Sequence, residues 1–78
     1  MSHVPHELAQ EFPEAAARIH DLKTSDRHFA RLADEYHDVN RAIHRLETRA
    51  EAGSQEREGE LRRRRITLKD EIAQALRA

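Results

Sequence analysis

The stretch FARLADEYHDVNRAIHRL, residues 29–46, decides the fold of this chain. Its apolar residues alternate spacings of three and four, and they are Phe29, Leu32, Tyr36, Val39, Ile43 and Leu46. A repeat that averages about 3.5 residues keeps one narrow face of a helix toward a partner helix, as in coiled coils. We therefore predict a helix over residues 26–52, which Thr24 or Ser25 caps and Gly53 ends.

A second apolar pattern with the same period lies downstream of Gly53. It predicts a helix over residues 55–77 with Ser54 as its cap, and its seam consists of Leu61, Arg65, Leu68, Ile72 and Leu76. If the chain folds back at Gly53, Leu46 meets Leu61 and Val39 meets Leu68. The two patterns together predict an antiparallel, coiled-coil-like helical hairpin.

Apolar residues outside this seam predict further packing. We expect an N-terminal helix over residues 6–23 with a bend near Pro13, because proline removes a backbone donor. The residues available for this packing are Leu8, Phe12, Ile19 and Leu22 in that helix and Ile66 and Ala73 in the last helix. Either the N-terminal helix packs on its own hairpin, or these surfaces join chains. Two packed helices rarely bury enough apolar area to offset the entropy of ordering, so we favour a helical-bundle homo-oligomer, a dimer or a tetramer.

Composition agrees with a single all-α domain over residues 1–78. Of the 78 residues, 43 are Ala, Glu, Lys, Leu or Arg, the composition of long helices, and the formal net charge is −1. The chain has no cysteine, which excludes disulfides and thiolate metal sites. No apolar run approaches the ~18 residues of a membrane span, and no apolar block near Met1 indicates a secretory signal.

The arginines suggest contact with phosphates. The candidates are Arg41, Arg45 and Arg49 on the second helix and Arg62, Arg63 and Arg64 on the third. Consecutive helical residues point about 100° apart, so the run over residues 62–65 forms no single patch. Glu58 and Glu60 lie four residues before Arg62 and Arg64, which favours a solvated face with ion pairs. Nucleic-acid backbone binding therefore remains the alternative.

Catalytic and metal-binding chemistry find little support in the sequence. His37 and His44 lie two helical turns apart, about 10 Å, too far to share an ion within one chain. A metal site across an oligomer interface remains open. Two isolated glycines cannot form a phosphate-binding loop, and a narrow hairpin offers no enclosed pocket. We predict a protein without catalytic activity and without a cofactor.

Several short segments recur here in a characteristic order and spacing over residues 6–77. They are EFPE at 11–14, IHDLKTSD at 19–26, HFARL at 28–32, EYH at 35–37, IHRLE at 43–47, Arg65, and LKDEI at 68–72. Together they resemble the YdcH family of small bacterial proteins. The segment SQEREG at 54–59 and the run of four arginines depart from the family pattern.

The resemblance implies a short, cytoplasmic, coiled-coil-like protein from a family without established catalytic or binding residues. Our leading hypothesis from the sequence is a self-associating interaction or scaffold module, with an unidentified protein as a further candidate partner. The alternative is a module that binds the backbone of RNA or DNA through its arginine-rich helix faces.

Overall fold

The computed structural model describes residues 6–49 and 54–77, and these residues form only helices and turns. The helices are α1 at Leu8–Glu11, α2 at Ala16–Ser25, α3 at Arg27–Arg49 and α4 at Ser54–Arg77, with a 3₁₀ turn at Pro13–Ala15. The predicted all-α class is confirmed. The predicted helix end at Gly53 lies outside the described residues. None of the described helices combines the length and the apolar character that a membrane span requires.

The N-terminal segment bends where the sequence predicts it. Phe12 has φ −130° and ψ 64°, which ends α1, and Pro13 occupies the first position of the 3₁₀ turn. Proline suits this position because a first helical turn leaves that backbone donor unpaired. At the start of α1, the side chain of Gln10 accepts a hydrogen bond of 3.2 Å from the backbone N–H of Glu7, as in a capping box.

One residue, Asp26, joins α2 to α3. Its backbone is extended, and its Oδ1 accepts hydrogen bonds from the backbone N–H groups of His28 at 3.0 Å and Phe29 at 3.2 Å. The predicted cap at Thr24 or Ser25 is wrong, because both hydroxyls donate to the carbonyl of Asp21 within α2. The carboxylate of Asp26 lies directly before α3 and accepts from the first backbone N–H groups of α3, which have no partner within the helix.

The two long helices, α3 and α4, pack side by side. Their paired side chains run in opposite order, since Glu47 contacts Arg62 and Asn40 contacts Arg65. Of the predicted seam, six residues are buried: Phe29, Leu32, Tyr36, Ile43, Leu68 and Ile72. The remaining five are half-buried: Val39, Leu46, Leu61, Arg65 and Leu76.

The N-terminal segment forms a third layer over α3 and α4. Leu8 and Ile19 are buried in one cluster with Phe29, Leu68 and other core residues, and Phe12 and Leu22 pack against that cluster. Of the two packing alternatives left open by the sequence, the described residues show the one within the chain. This layer also buries Ala33, which lies outside the predicted seam. A period of 3.5 residues describes one partner helix, whereas α3 contacts two neighbours.

Candidate interaction surfaces

Polar contacts fix the N-terminal segment on the long helices, and we call them the N-terminal clamp. The hydroxyl of Tyr36 donates a hydrogen bond of 2.6 Å to the carbonyl oxygen of His6, which has a left-handed backbone with φ 64°. Glu11 Oε1 lies 3.0 Å from Lys69 Nζ and 3.4 Å from His6 Nδ1. The clamp therefore reaches α3 through Tyr36 and α4 through Lys69.

Two titratable groups of the clamp have displaced pKa values. The hydrogen bond from Lys69 lowers the pKa of Glu11, and burial acts in the opposite direction. Burial raises the pKa of Tyr36, with a further contribution from the negative charge of Glu11. Both residues hold helices together, so their displaced pKa values have a structural explanation.

A buried polar pair joins α3 and α4 in the middle of their apolar contact. Asn40 is only 2% exposed, and its Oδ1 accepts a hydrogen bond of 2.8 Å from Nη1 of Arg65. Arg65 is half-buried, with its head group turned to the amide. A buried polar group is costly without a partner, so this pair disfavours other alignments of the two helices.

The candidate phosphate-binding arginines divide into engaged and unengaged side chains. Arg62 Nη2 lies 2.6 Å from carboxylate oxygens of both Glu47 and Glu58, and Arg64 pairs with Glu35. Among the described residues, no carboxylate pairs with Arg41, Arg45 or Arg63. The side chain of Arg49 lies outside the described part of the chain. Two of the six candidates, Arg62 and Arg64, are thus engaged by carboxylates of the same chain.

The histidines among residues 6–49 and 54–77 form no metal-binding cluster. His37 Nδ1 lies 3.1 Å from Glu7 Oε2, a contact that adds a second link between α3 and the N-terminal segment when the histidine is protonated. His44 is half-buried, farther along α3. Within residues 6–49 and 54–77, no group of three or more His, Cys, Asp or Glu side chains could hold a metal ion.

The described part of the chain includes two open depressions. The larger has a volume of about 400 Å³ and lies between the 3₁₀ turn and the end of α4. We call it the C-terminal groove, and its lining consists of Phe12, Pro13, Ala15, Ala73 and Leu76 with Glu11, Glu14 and Arg77 at its edges. The smaller, about 230 Å³, lies between α1, α2 and α3 and has Ile19, Ala33 and His37 in its lining.

One large apolar side chain remains outside the core on the same helix. Ile66 of α4 is 60% exposed and, among the described residues, is the one large hydrophobic side chain that is exposed. Two turns later along α4, Ala73 lines the C-terminal groove. Of the six residues that the sequence assigns to packing beyond the seam, the two in α4 are thus an exposed side chain and part of the groove lining.

Comparison with protein families covers the two long helices. A family model described as "Protein of unknown function (DUF465)" matches residues 29–76, most of the chain. The chain belongs to the DUF465 family. DUF465 contains the YdcH-like small proteins, so the family resemblance predicted from the sequence is confirmed. No curated protein and no solved structure matches this DUF465 chain.

Proposed function

We propose that this DUF465 protein is a non-enzymatic, self-associating helical module that acts in the bacterial cytoplasm. In this proposal α3 and α4 form a coiled-coil-like hairpin, and the N-terminal segment reinforces one side of it. The observation that carries the proposal is the apolar surface that the chain leaves open, namely the C-terminal groove and Ile66. Contiguous exposed apolar patches mark protein–protein contacts, and association would remove both the groove and Ile66 from water.

The size of the chain supports the same proposal. A domain of 78 residues buries a smaller share of its surface than a larger domain does, and small domains commonly gain stability by associating. The described core consists of nine buried apolar residues and one buried amide, so additional buried area would add a substantial fraction to its stability.

The titratable groups give catalysis no support. Glu11 and Tyr36 have displaced pKa values, and both belong to the N-terminal clamp. Displaced pKa values often mark catalytic groups, but here an ion pair and burial account for them. Neither depression is enclosed, so neither excludes water from a reacting group.

The arginine contacts favour self-association over the nucleic-acid alternative. Arg62 and Arg64 already bind carboxylates of the same chain, and Arg65 binds Asn40. Contact with phosphates would have to displace these partners or rely on side chains from separate faces. Binding of nucleic acid through phosphates also requires a cluster of positive charge, and the net charge of the chain is −1.

The experiment that tests the proposal is light scattering behind size exclusion over a series of protein dilutions. We expect a mass of two or four times 9.1 kDa that falls toward the monomer mass on dilution. An interface of mainly apolar contacts should persist when the salt concentration is raised, whereas one held by exposed ion pairs should dissociate. A mass of 9.1 kDa at every accessible concentration would contradict self-association.

A further inference from the structure

We infer that two copies of this chain associate by exchanging their N-terminal segments, with Asp26 as the hinge. In the single chain of the structure, which we call the closed chain, residues 6–25 pack on one side of α3 and α4. In the exchanged dimer, the same segment of a second copy occupies that side. This inference rests on the proposed self-association and specifies the surface that it uses.

The connection between α2 and α3 consists of one residue and is close to helical hydrogen bonding. The backbone N–H of Asp26 donates to the carbonyl of Leu22 at 2.8 Å, and the carbonyl of Asp26 accepts from the N–H of Ala30 at 2.9 Å. Both bonds have the helical spacing of four residues. Asp26 itself is extended, with φ −128° and ψ 109°, between two helical segments. A change of backbone torsion at this residue would therefore join α2 and α3 into one helix over residues 16–49.

The sequence around the hinge suits such a continuous helix. Residues 16–49 include neither glycine nor proline, the two residues that most disfavour a helix. In the closed chain, Oδ1 of Asp26 accepts from the backbone N–H groups of His28 and Phe29. In the continuous helix, these two donors meet the carbonyls four residues earlier. Backbone donors are thus satisfied in both forms, and exchange keeps every contact outside the hinge, which makes it a low-cost route to a dimer.

The positions on either side of the hinge suit a two-fold axis at Asp26. Ile19 of α2 and Ala33 of α3 are both buried and line the same depression, and each lies seven residues from Asp26. When two continuous helices lie antiparallel about an axis at Asp26, Ile19 of one copy lies level with Ala33 of the other, about 10 Å from the axis. The contact within one chain then recurs between two chains, twice per dimer, so the interface closes.

The contacts that hold the segment select a second copy as the occupant. Leu8 and Ile19 are buried in the core cluster that α3 and α4 complete. The N-terminal clamp adds polar contacts, among them the distance of 3.0 Å between Glu11 Oε1 and Lys69 Nζ. Because residues 6–25 supply one side of each contact, only another copy of this segment reproduces all of them. The buried contacts are mainly apolar, which agrees with a dimer that persists when the salt concentration is raised.

The first test uses the contact between Glu11 and Lys69 to show which chains it joins. Equal amounts of unlabelled protein and protein labelled with heavy nitrogen are unfolded in urea and refolded together, at a concentration at which light scattering gives the dimer mass. A carbodiimide then couples carboxylates to amines that contact them, with loss of water, and mass spectrometry of the peptides reads the isotope of each partner. Exchange at random should give mixed isotopes in half of the coupled Glu11–Lys69 pairs. At concentrations that give the monomer mass, each pair should carry one isotope.

The second test changes the hinge. Asp26→Ala removes the cap that stabilises the closed chain and favours the continuous helix, so it should lower the dimer dissociation constant. Asp26→Gly is the matched control, because it removes the same carboxylate but suits a cap better than a helix interior. Alanine is favoured over glycine within a helix by about fivefold, and a dimer has two hinges. The dissociation constants of the two variants, measured by light scattering on dilution, should therefore differ by roughly 30-fold or more.

The outcomes separate this inference from the proposed function. If the wild-type protein is a monomer at all concentrations, the proposed function itself fails, and the exchange fails with it. If the wild type associates but every coupled Glu11–Lys69 pair carries one isotope, self-association stands and the exchange is overturned. Equal dissociation constants for Asp26→Ala and Asp26→Gly would overturn Asp26 as the hinge.

Discussion

Replacement of Tyr36 by phenylalanine tests how the N-terminal clamp holds the three layers together. Tyr36 is 1% exposed, and its hydroxyl donates a hydrogen bond of 2.6 Å to the carbonyl of His6. Tyr36→Phe keeps the ring in the core and removes only this bond, which corresponds to about 1 kcal/mol of unfolding free energy. For a domain of this size, such a loss lowers the melting temperature by roughly 4–8 °C.

The pH dependence of this difference follows from the raised pKa of Tyr36. The ordinary pKa of tyrosine is 10.0, and burial raises it in the folded protein. The neutral phenol therefore contributes fully to the free energy of unfolding below pH 10. This contribution is lost as the pH rises from 10 through the pKa of Tyr36 in the folded protein, because in that range the phenol ionises only in the unfolded chain. The loss amounts to as much as about 1.4 kcal/mol per pH unit. The advantage of the wild type over Tyr36→Phe should therefore decrease as the pH rises above 10.

The assay is urea unfolding at fixed protein concentration, followed by circular dichroism from neutral pH to beyond pH 10. Tyr36 is the single tyrosine and the chain has no tryptophan, so ultraviolet absorbance of the phenolate reports its ionisation directly. Phe29→Leu is the matched control, because it alters another buried aromatic residue of α3 that cannot ionise. A free-energy difference between wild type and Tyr36→Phe that stays constant over this pH range would refute the reasoning, as would a phenol that titrates at its ordinary pKa in the folded protein.

Three further predictions concern single positions. Gly59→Ala should stabilise the protein by up to about 1 kcal/mol in urea unfolding, because the new Cβ would lie 3.9 Å from the nearest side-chain atom and α4 continues through this residue; a loss of stability would contradict this. Asp26→Ala should lower the free energy of unfolding by about 1 kcal/mol and Asp26→Asn by much less, while Ser25→Ala leaves the start of α3 intact. Equal losses of stability in all three variants would show that Asp26 is not the cap of α3. At pH values above 4.5, the ordinary pKa of glutamate, Glu11→Gln should lower the free energy of unfolding by about 0.5–1 kcal/mol. This difference between the variant and the wild type should vanish as the pH falls through the lowered pKa of Glu11. Glu71→Gln is the control, because Glu71 is exposed. If Glu11→Gln leaves the acid-unfolding profile unchanged, the contact between Glu11 and Lys69 does not stabilise the fold.

The exposure of Ile66 and the lining of the C-terminal groove are features that the sequence pattern does not predict. The heptad pattern separates Ile66 and Ala73 from the seam, because both fall one position beyond it. The heptad pattern does not distinguish Leu8 or Phe12 from Ile66 and Ala73. In the structure, however, Leu8 is buried within the chain, and Phe12 lines the same groove as Ala73. All of these residues are simply apolar positions at helical spacing. Which of them remain open depends on how residues far apart in the chain pack, and periodicity does not contain that information.

The arginine run illustrates the same limit for charged residues. Pairing of Arg62 with Glu58 follows from their spacing of four along one helix. Its contact with Glu47, and that of Arg64 with Glu35, depends on how α3 lies against α4. The caps show this on a smaller scale, since Thr24, Ser25 and Asp26 are all good capping residues and only the end point of α2 selects Asp26.

The sequence by itself determined the all-α class, the two long helices, the bend near Pro13 and membership of the family. The first three features depend on local propensity and on a repeat that is visible along the chain, whereas family membership rests on the family-model match over residues 29–76. Only the tertiary structure decided that Leu8 and Ile19 pack within their own chain, that Ala33 joins the core and that Ile66 stays 60% exposed. The physical reason is that burial is a property of surfaces in contact, and which surfaces meet is settled by packing over the whole chain.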